Sequence, residues 1–149
     1  MVKMNQEKVH LWTSLELRAL YDSPLMELVW QAQQVHQRHH RRWEIQVCQV
    51  ISVKTGGCPE DCKYCGQSAH YQTGVPPQPM MTLDELKAKA EESIAKGTTR
   101  ICLSVAWREV RNGKVFDQVL EMVREISEMG VEVCCTLGML KAEHAHQLA

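Results

Sequence analysis

The 149-residue sequence has little net charge and no long apolar run. Its formal net charge is −1, which gives no electrostatic case for a nucleic acid or an anionic membrane surface as a partner. No stretch approaches the roughly 20 consecutive apolar residues that a transmembrane helix needs. The amino-terminal letters MVKMNQEKVHLW also lack the apolar core of a secretory signal. We therefore expect a cytoplasmic protein, in which thiols stay reduced.

Cysteine, in contrast, is abundant, with seven residues in the chain. The cysteines stand at positions 48, 58, 62, 65, 102, 134 and 135. Their number is odd and a cytoplasmic compartment is reducing, so a disulfide framework is not expected. Metal binding or catalysis is therefore the first hypothesis. For each cysteine taken singly, a buried small apolar side chain remains the alternative.

The first part of the chain carries two helix signals. Thr13 followed by Glu16 is a capping-box pattern, which predicts a short helix that begins near Ser14. Ser23 can cap a second helix, with Pro24 at the first helical position. Apolar residues at helical spacing then form one stripe along that helix: Leu25, Leu28, Val29, Ala32 and Val35.

After residue 43, β-rich stretches alternate with helical patterns. Strands are predicted over 44–53, 99–107 and 131–138, and helices over 82–96, over 115–129 and from 141 onwards. This alternation is typical of a parallel α/β sheet. A complete eight-unit barrel needs about 250 residues. We therefore expect the amino-terminal half of a TIM-type (β/α)8 barrel, with a helical segment over 1–43 and the first three βα units, truncated, over 44–149.

The segment GGCPEDCKYCG places Cys58, Cys62 and Cys65 in a C-x3-C-x2-C pattern directly after the first predicted strand. In a parallel α/β fold this loop lies at the carboxyl ends of the strands, where active sites gather. Thiolates are soft ligands that favour zinc, copper(I) or iron–sulfur clusters. Only three thiolates are present, which would leave one metal position open to a substrate or cofactor.

Strand alternation predicts a second group of cysteines. Cys102 and Cys134 fall on the face opposite the apolar side chains and therefore point into the barrel, whereas Cys135 packs outward. By the same parity Cys48 faces inward, beside the second group. Two inward cysteines on neighbouring strands suggest a second site beneath the first. Structural cysteines explain these positions equally well.

The cysteine triplet resembles the signature of the radical S-adenosylmethionine (SAM) superfamily, and further segments look like the amino-terminal part of the biotin synthase family. The segments that carry this resemblance are WQAQQVH, KTGGCPEDCKYCGQS, YQTG, TRICLSVAW and MGVEVCCTLGML. Together the similar region runs from about Ser14 to Ala149.

The resemblance implies two iron–sulfur clusters and a SAM molecule. A 4Fe-4S cluster would be held by Cys58, Cys62 and Cys65, with its open iron chelating SAM. An auxiliary 2Fe-2S cluster would be held in part by Cys102 and Cys134. The resemblance also places Tyr64 beside the adenine of SAM, and Val105 and Ala106 close to SAM.

The resemblance further implies an enzyme, a radical SAM sulfurtransferase. Reductive cleavage of SAM would yield a 5′-deoxyadenosyl radical, which abstracts hydrogen from dethiobiotin so that sulfur from the auxiliary cluster can be inserted to give biotin. The implied partners are dethiobiotin, an electron donor such as flavodoxin or ferredoxin, and a second subunit in a homodimer; neither a nucleic acid nor a membrane is implied.

Two departures from the family pattern bear on activity. The family completes the auxiliary cluster with ligands from later strands, so we expect the 149 residues by themselves to be inactive or incomplete. In addition, Cys48 stands where a small polar residue such as serine is expected. Two alternatives stay open: another radical SAM enzyme of the same barrel family, and a non-catalytic fragment that binds an iron–sulfur cluster or zinc.

Three further features have simpler readings. The histidines of VHQRHHRR have the spacing of a metal patch, but neighbouring arginines favour a solvated helix end. Arg100 is either a neighbour of the auxiliary cluster or a plain charge at a strand start. Trp107 is expected to serve in packing.

Overall fold

The computed structural model describes residues 10–41 and 43–149, in two compact units that divide between Ile45 and Gln46. Most of the segment considered above as a secretory signal lies outside the described residues, in positions 1–9. A search of the described helices finds none that is both long enough and apolar enough to cross a membrane.

The first unit contains helices α1 (Ser14–Tyr21) and α2 (Leu25–His39). The capping box at the start of α1 is confirmed, because the Thr13 side chain accepts from the backbone N–H of Glu16 and the Glu16 carboxylate accepts from that of Thr13. The predicted cap of α2 is wrong. Pro24 occupies the N-cap position, and the Ser23 hydroxyl instead donates back to the carbonyl of Ala19 (2.9 Å).

The second unit is a parallel three-stranded sheet with helices between and after its strands. The strands are β1 (Cys48–Lys54), β2 (Arg100–Val105) and β3 (Glu132–Thr136), in the spatial order β1-β2-β3. The helices are α3 (Leu83–Ala95), α4 (Lys114–Glu128) and α5 (Ala142–Leu148). The predicted α/β alternation is therefore confirmed. Three parallel strands of this kind occur both in closed barrels and in open doubly wound sheets.

The predicted strands were too long, most of all the first one. β1 begins at Cys48 rather than at residue 44, because Cys48 is the first residue that lies in register with β2, opposite Arg100. Before that point no residue pairs with β2 as a strand, although the Val47 carbonyl accepts from the N–H groups of Thr99 (2.9 Å) and Arg100 (3.1 Å). β-branched residues favour a strand only where a partner strand is present to pair with them.

The core lies on one face of the sheet, between the strands and helices α3 and α4. Alternate residues of β2 are buried, and their side chains pack with those of the two helices. The fully buried members with the largest side chains are Phe116, Leu86, Ile101, Leu103, Ile126 and Leu137. The opposite face carries the half-buried and exposed positions, so the polar and thiol side chains of the strands stand together on that face.

Candidate iron–sulfur site

The cysteine triplet lies on a loop that folds back on itself at the carboxyl end of β1. The N–H of Cys58 donates to the carbonyl of Gln67 (2.9 Å), and the N–H of Ala69 donates to the carbonyl of Cys58 (2.8 Å). These two bonds pair the first cysteine with Ser68 as an isolated parallel bridge. The loop around the three thiols is therefore closed by its own backbone hydrogen bonds.

Ser68 braces the inside of this loop. It is buried, and its hydroxyl donates to the carbonyl of Glu60 (2.7 Å) while accepting from the N–H of His70 (3.2 Å). The histidine ring in turn contacts the carbonyl of Pro59 (3.1 Å). Sequence reasoning missed Ser68, although a small polar residue three positions after the last cysteine is a signal for a local brace of this kind.

The start of the loop is held against a second segment of backbone. Gly56 has a φ of 70°, and a Cβ at this position would stand 2.9 Å from the carbonyl oxygen of Pro76. The same segment pairs with the end of β1, because the N–H of Gln78 donates to the carbonyl of Thr55 (2.8 Å) and that of Met81 to the carbonyl of Val53 (2.8 Å). The close approach of the proline-rich segment therefore requires glycine at this position.

Cys58, Cys62 and Cys65 are each half-buried, and a turn bond from the N–H of Cys65 to the carbonyl of Cys62 (2.9 Å) joins the last two. The pKa of Cys62 is raised, first by partial burial and then by the negative charges of Glu60 and of the other two thiolates. Cys62 therefore lies within range of the charges of both other cysteines of the triplet.

Three soft thiolates on one loop are a donor set that fits an iron–sulfur cluster. Across the part of the chain that the structure describes, no three His, Cys, Asp or Glu side chains stand close enough to share one metal ion. An iron–sulfur cluster offers a separate iron to each thiolate, so its protein ligands stand farther apart than those of one ion. Thiolates are also the soft ligands that such a cluster takes. Their role as ligands remains a prediction.

Cys102 and Cys134 lie directly opposite each other on β2 and β3. Cys134 has its pKa raised to about 11, first because burial disfavours its thiolate and then because Cys102 is close enough to interact with it by hydrogen bonding and by charge. The sulfur of Cys102 also lies 3.6 Å from the hydroxyl of Thr136. The predicted pairing of these two cysteines on one face of the sheet is confirmed.

The other two strand cysteines also take their predicted faces. Cys135 packs against the hydrophobic core, where burial raises its pKa to about 11. Cys48 is exposed and shares the face of Cys102 and Cys134, close enough for its charge to act on the pKa of Cys134. The sheet thus presents three thiols on its open face and one in its core.

Arg100 connects this face to β3. It forms an ion pair with Glu132, its register partner, whose carboxylate also accepts from the side chain of Gln46 (2.8 Å). The ion pair and the negative charges of Cys134 and Cys48 raise the pKa of Arg100. Arg100 therefore lies beside the thiols of this face at the start of β2, and its place beside an auxiliary cluster stays a prediction.

The three residues predicted to contact SAM differ in exposure. Tyr64 is 93% exposed on the cysteine loop, so its ring is available to stack against a ligand. Val105 and Ala106 are both buried, and the side chain of Val105 belongs to the core cluster. Val105 can therefore approach a ligand at the carboxyl end of β2 only through its backbone.

Trp107 and the histidines at the end of α2 behave as the simpler readings predict. The indole N–H of Trp107 donates to the carbonyl of Leu137 (2.6 Å), and its ring packs against the core. His36 and His40 stack with ring centroids 5.3 Å apart at the end of α2.

A buried histidine was not anticipated. His144 accepts the backbone N–H of Lys141 at Nδ1 (3.2 Å), so its Nε2–H donates to the side-chain oxygen of Asn112 (3.1 Å). Its ring packs edge-on against Phe116, with centroids 5.2 Å apart. It thus ties the start of α5 to the loop that follows β2.

Removing the Ser68 hydroxyl should loosen the cysteine loop. In Ser68→Ala, the carbonyl of Glu60 and the N–H of His70 lose a partner, which should cost about 1–3 kcal/mol of local stability because unpaired buried polar groups are penalised. Thermal unfolding and iron content after anaerobic reconstitution would check this. Ser93→Ala, which removes an exposed hydroxyl bonded to the carbonyl of Lys89, is the matched control. Equal iron content and equal melting temperature in the two variants would contradict the bracing role.

The amino-acid sequence of the chain is similar to those of several known proteins. The chain is 52% identical to a biotin synthase of Nostoc sp. over 137 residues, which cover 92% of the chain. It is 47% identical to a biotin synthase of Flavobacterium johnsoniae over 98% of the chain, and 46% identical to one of Chlamydia abortus over 93%. This chain is related by sequence to the amino-terminal part of biotin synthases.

The relatives are longer than the chain. The aligned residues cover 41% of the Nostoc biotin synthase, 40% of the Flavobacterium johnsoniae protein and 42% of the Chlamydia abortus protein. The chain therefore spans about two fifths of the length of the biotin synthases it matches. No protein-family model matches it. The resemblance inferred from the cysteine and strand motifs is confirmed by these alignments.

Proposed function

We propose that the chain forms the cofactor-binding part of a biotin synthase, a radical SAM sulfurtransferase that converts dethiobiotin to biotin. The observation that carries the proposal is the placement of two groups of thiols: a triplet on a braced loop at the carboxyl end of β1, and a facing pair on β2 and β3. Identity of about half over most of the chain supports the same reading.

The triplet is assigned to the SAM-binding cluster. Cys58, Cys62 and Cys65 would hold three irons of a 4Fe-4S cluster, whose fourth iron is open to the amino and carboxylate groups of SAM. When bound, the cluster and SAM supply one-electron reduction of the sulfonium and hence radical chemistry at an unactivated carbon. The exposed ring of Tyr64 would cover the adenine, and the backbone at Ala106 would contact SAM.

The strand cysteines are assigned to the auxiliary cluster. Cys102 and Cys134 would hold a 2Fe-2S cluster on the open face of the sheet, with Arg100 beside them to offset the negative charge of the thiolates. Its further ligands would come from strands beyond those described. Cys48 on the same face is available to the site as a neighbouring thiol.

The remaining proposals concern the longer protein. The three βα units would form the amino-terminal half of a TIM-type barrel, with the amino-terminal helices before it as a separate segment. Its partners would be dethiobiotin and an electron donor such as flavodoxin or ferredoxin, and it would act as a homodimer in the cytoplasm. The closed end of the barrel would keep water from the reacting carbon.

Anaerobic reconstitution with iron and sulfide tests the assignment of the triplet. We expect iron–sulfur absorbance and, with SAM and a reductant, release of methionine and 5′-deoxyadenosine. Zinc bound in place of iron, with no SAM cleavage, would favour the non-catalytic alternative and overturn the proposal. In the longer protein, with the later strands present, SAM cleavage that dethiobiotin neither accelerates nor couples to hydrogen abstraction would favour another radical SAM enzyme of the same barrel family.

A further inference from the structure

Lys54, the last residue of β1, joins the cysteine loop to the end of β2. Its ammonium group donates to the carbonyl of Gly56 (3.1 Å) and to the carbonyl of Ala106 (2.9 Å). Its own carbonyl accepts from the N–H of Ala106 (2.9 Å). Val53 beside it is in the core, whereas Lys54 is only half-buried.

A β-bulge at this point in β1 changes the direction of the Lys54 side chain. Ser52 pairs with Ser104, but Lys54 pairs with Val105, so β1 has one more residue than β2 at this point. Bulges of this kind occur next to active sites, where they redirect a side chain. The Ser52 hydroxyl fixes the bulge, because it donates to the carbonyl of Lys54 (3.3 Å) and shares a hydrogen bond with the hydroxyl of Thr55 (2.7 Å).

The two carbonyl groups that accept hydrogen bonds from Lys54 belong to two different segments. One is the start of the cysteine loop, and the other is the carboxyl end of β2. Gly56 stands two residues before the first thiolate of the triplet, and Ala106 is the proposed backbone contact of SAM. A second link between these segments, the ion pair of Arg108 with Glu60 (3.2 Å), has both side chains substantially exposed. Exposed ion pairs hold a geometry weakly. The half-buried ammonium, with its two hydrogen bonds, is therefore the stronger of these two side-chain links.

We propose that Lys54 is a positioning residue that sets the distance between the cysteine loop and the carboxyl end of β2, and so between the cluster and the SAM contact. Its effect on SAM rests on the proposed function, whereas its effect on the two backbone segments does not. Because the three thiolates are braced separately by Ser68, loss of the lysine should weaken SAM binding without preventing cluster assembly.

The first test uses hydrogen exchange of the metal-free chain. In Lys54→Met, the amides of Cys58 and Ala106 should lose protection by roughly 10- to 100-fold, because two hydrogen bonds from a charged donor are removed. Lys54→Arg, which keeps a cationic donor, should retain more of the protection. Lys96→Met removes the same charge from an exposed lysine that pairs with Glu92, and it should leave both amides unchanged.

The second test uses the reconstituted protein. Lys54→Met should keep the iron content of the unaltered chain, bind SAM at least about tenfold more weakly, and show a smaller change in the electron paramagnetic resonance spectrum of the reduced cluster when SAM is added. Lys54→Arg should recover part of both signals. If the unaltered chain assembles no cluster, the proposed function fails, and hydrogen exchange still decides the positioning role.

Two results would overturn the positioning role. One is exchange in Lys54→Met that matches the unaltered chain at Cys58 and Ala106. The other is loss of protection throughout the sheet, including the amide of Leu103 in the core, which would mean that the lysine stabilises the whole unit rather than one distance.

Discussion

Replacing Cys62 with alanine should abolish the 4Fe-4S signal of the reconstituted protein. Cys58 and Cys65 would remain, and two thiolates cannot hold three irons of a cluster in place. The expected result is an iron content close to that of the protein before reconstitution, with no four-iron component in the Mössbauer spectrum. The fold itself should survive, because Cys62 lies on the surface loop and outside the core cluster.

Cys48→Ala is the matched control for that experiment. It removes an exposed thiol from the second unit but leaves the triplet intact, so the four-iron signal should stay. An unchanged four-iron spectrum in Cys62→Ala would contradict the assignment of the triplet as ligands of the 4Fe-4S cluster. Loss of the signal in both variants would point instead to a cluster on the open face of the sheet, around Cys102 and Cys134.

Gly138→Ala should destabilise the second unit by roughly 3 kcal/mol, the largest effect on folding that we expect from a single methyl group. Gly138 has a φ of 69°, and a Cβ there would overlap the carbonyl of Arg108 and stand 2.9 Å from that of Trp107. The neighbouring N–H of Met139 donates to the same Arg108 carbonyl (3.0 Å), so the backbone cannot move away without breaking a bond between the loops after β2 and β3.

Gly97→Ala separates the two causes of that effect. Gly97 also has a positive φ, of 93°, but a Cβ there would meet nothing within 4 Å. The cost should therefore be only that of a left-handed alanine, about 1 kcal/mol. Urea unfolding of both variants gives the two free energies. Equal values would show that the clash with the Arg108 carbonyl is relieved at no cost and would contradict the close packing of the two loops.

Local signals in the sequence predicted the helices well. The capping boxes at Thr13 and Thr82 are both formed, because a hydroxyl followed three residues later by a glutamate satisfies the first N–H groups of a helix without outside help. The prediction at Ser23 failed for a related reason. A serine can bond to an earlier carbonyl as well as to a later N–H, and the preceding helix offered Ala19.

Strand alternation predicted the faces of the cysteines but not the ends of the strands. Period-two alternation is a property of the chain itself, so Cys134 and Cys135 were placed on opposite faces without knowledge of their partners. The ends depend on where neighbouring strands begin, which shortened β1 to Cys48–Lys54. The bulge at Lys54 could not be predicted, since a register exists only between two strands.

The sequence by itself determined which thiols are close in the chain, the α/β order of the second unit and the relation to biotin synthases. All of these follow from spacing, periodicity or identity, which are local or linear properties. Only the tertiary structure decided that Lys54 reaches Ala106, which is 52 residues away, and that His144 holds Asn112, which is 32 residues away. Such contacts form because packing of the sheet and helices brings distant backbone and side-chain polar groups together, where they must find partners as water is excluded.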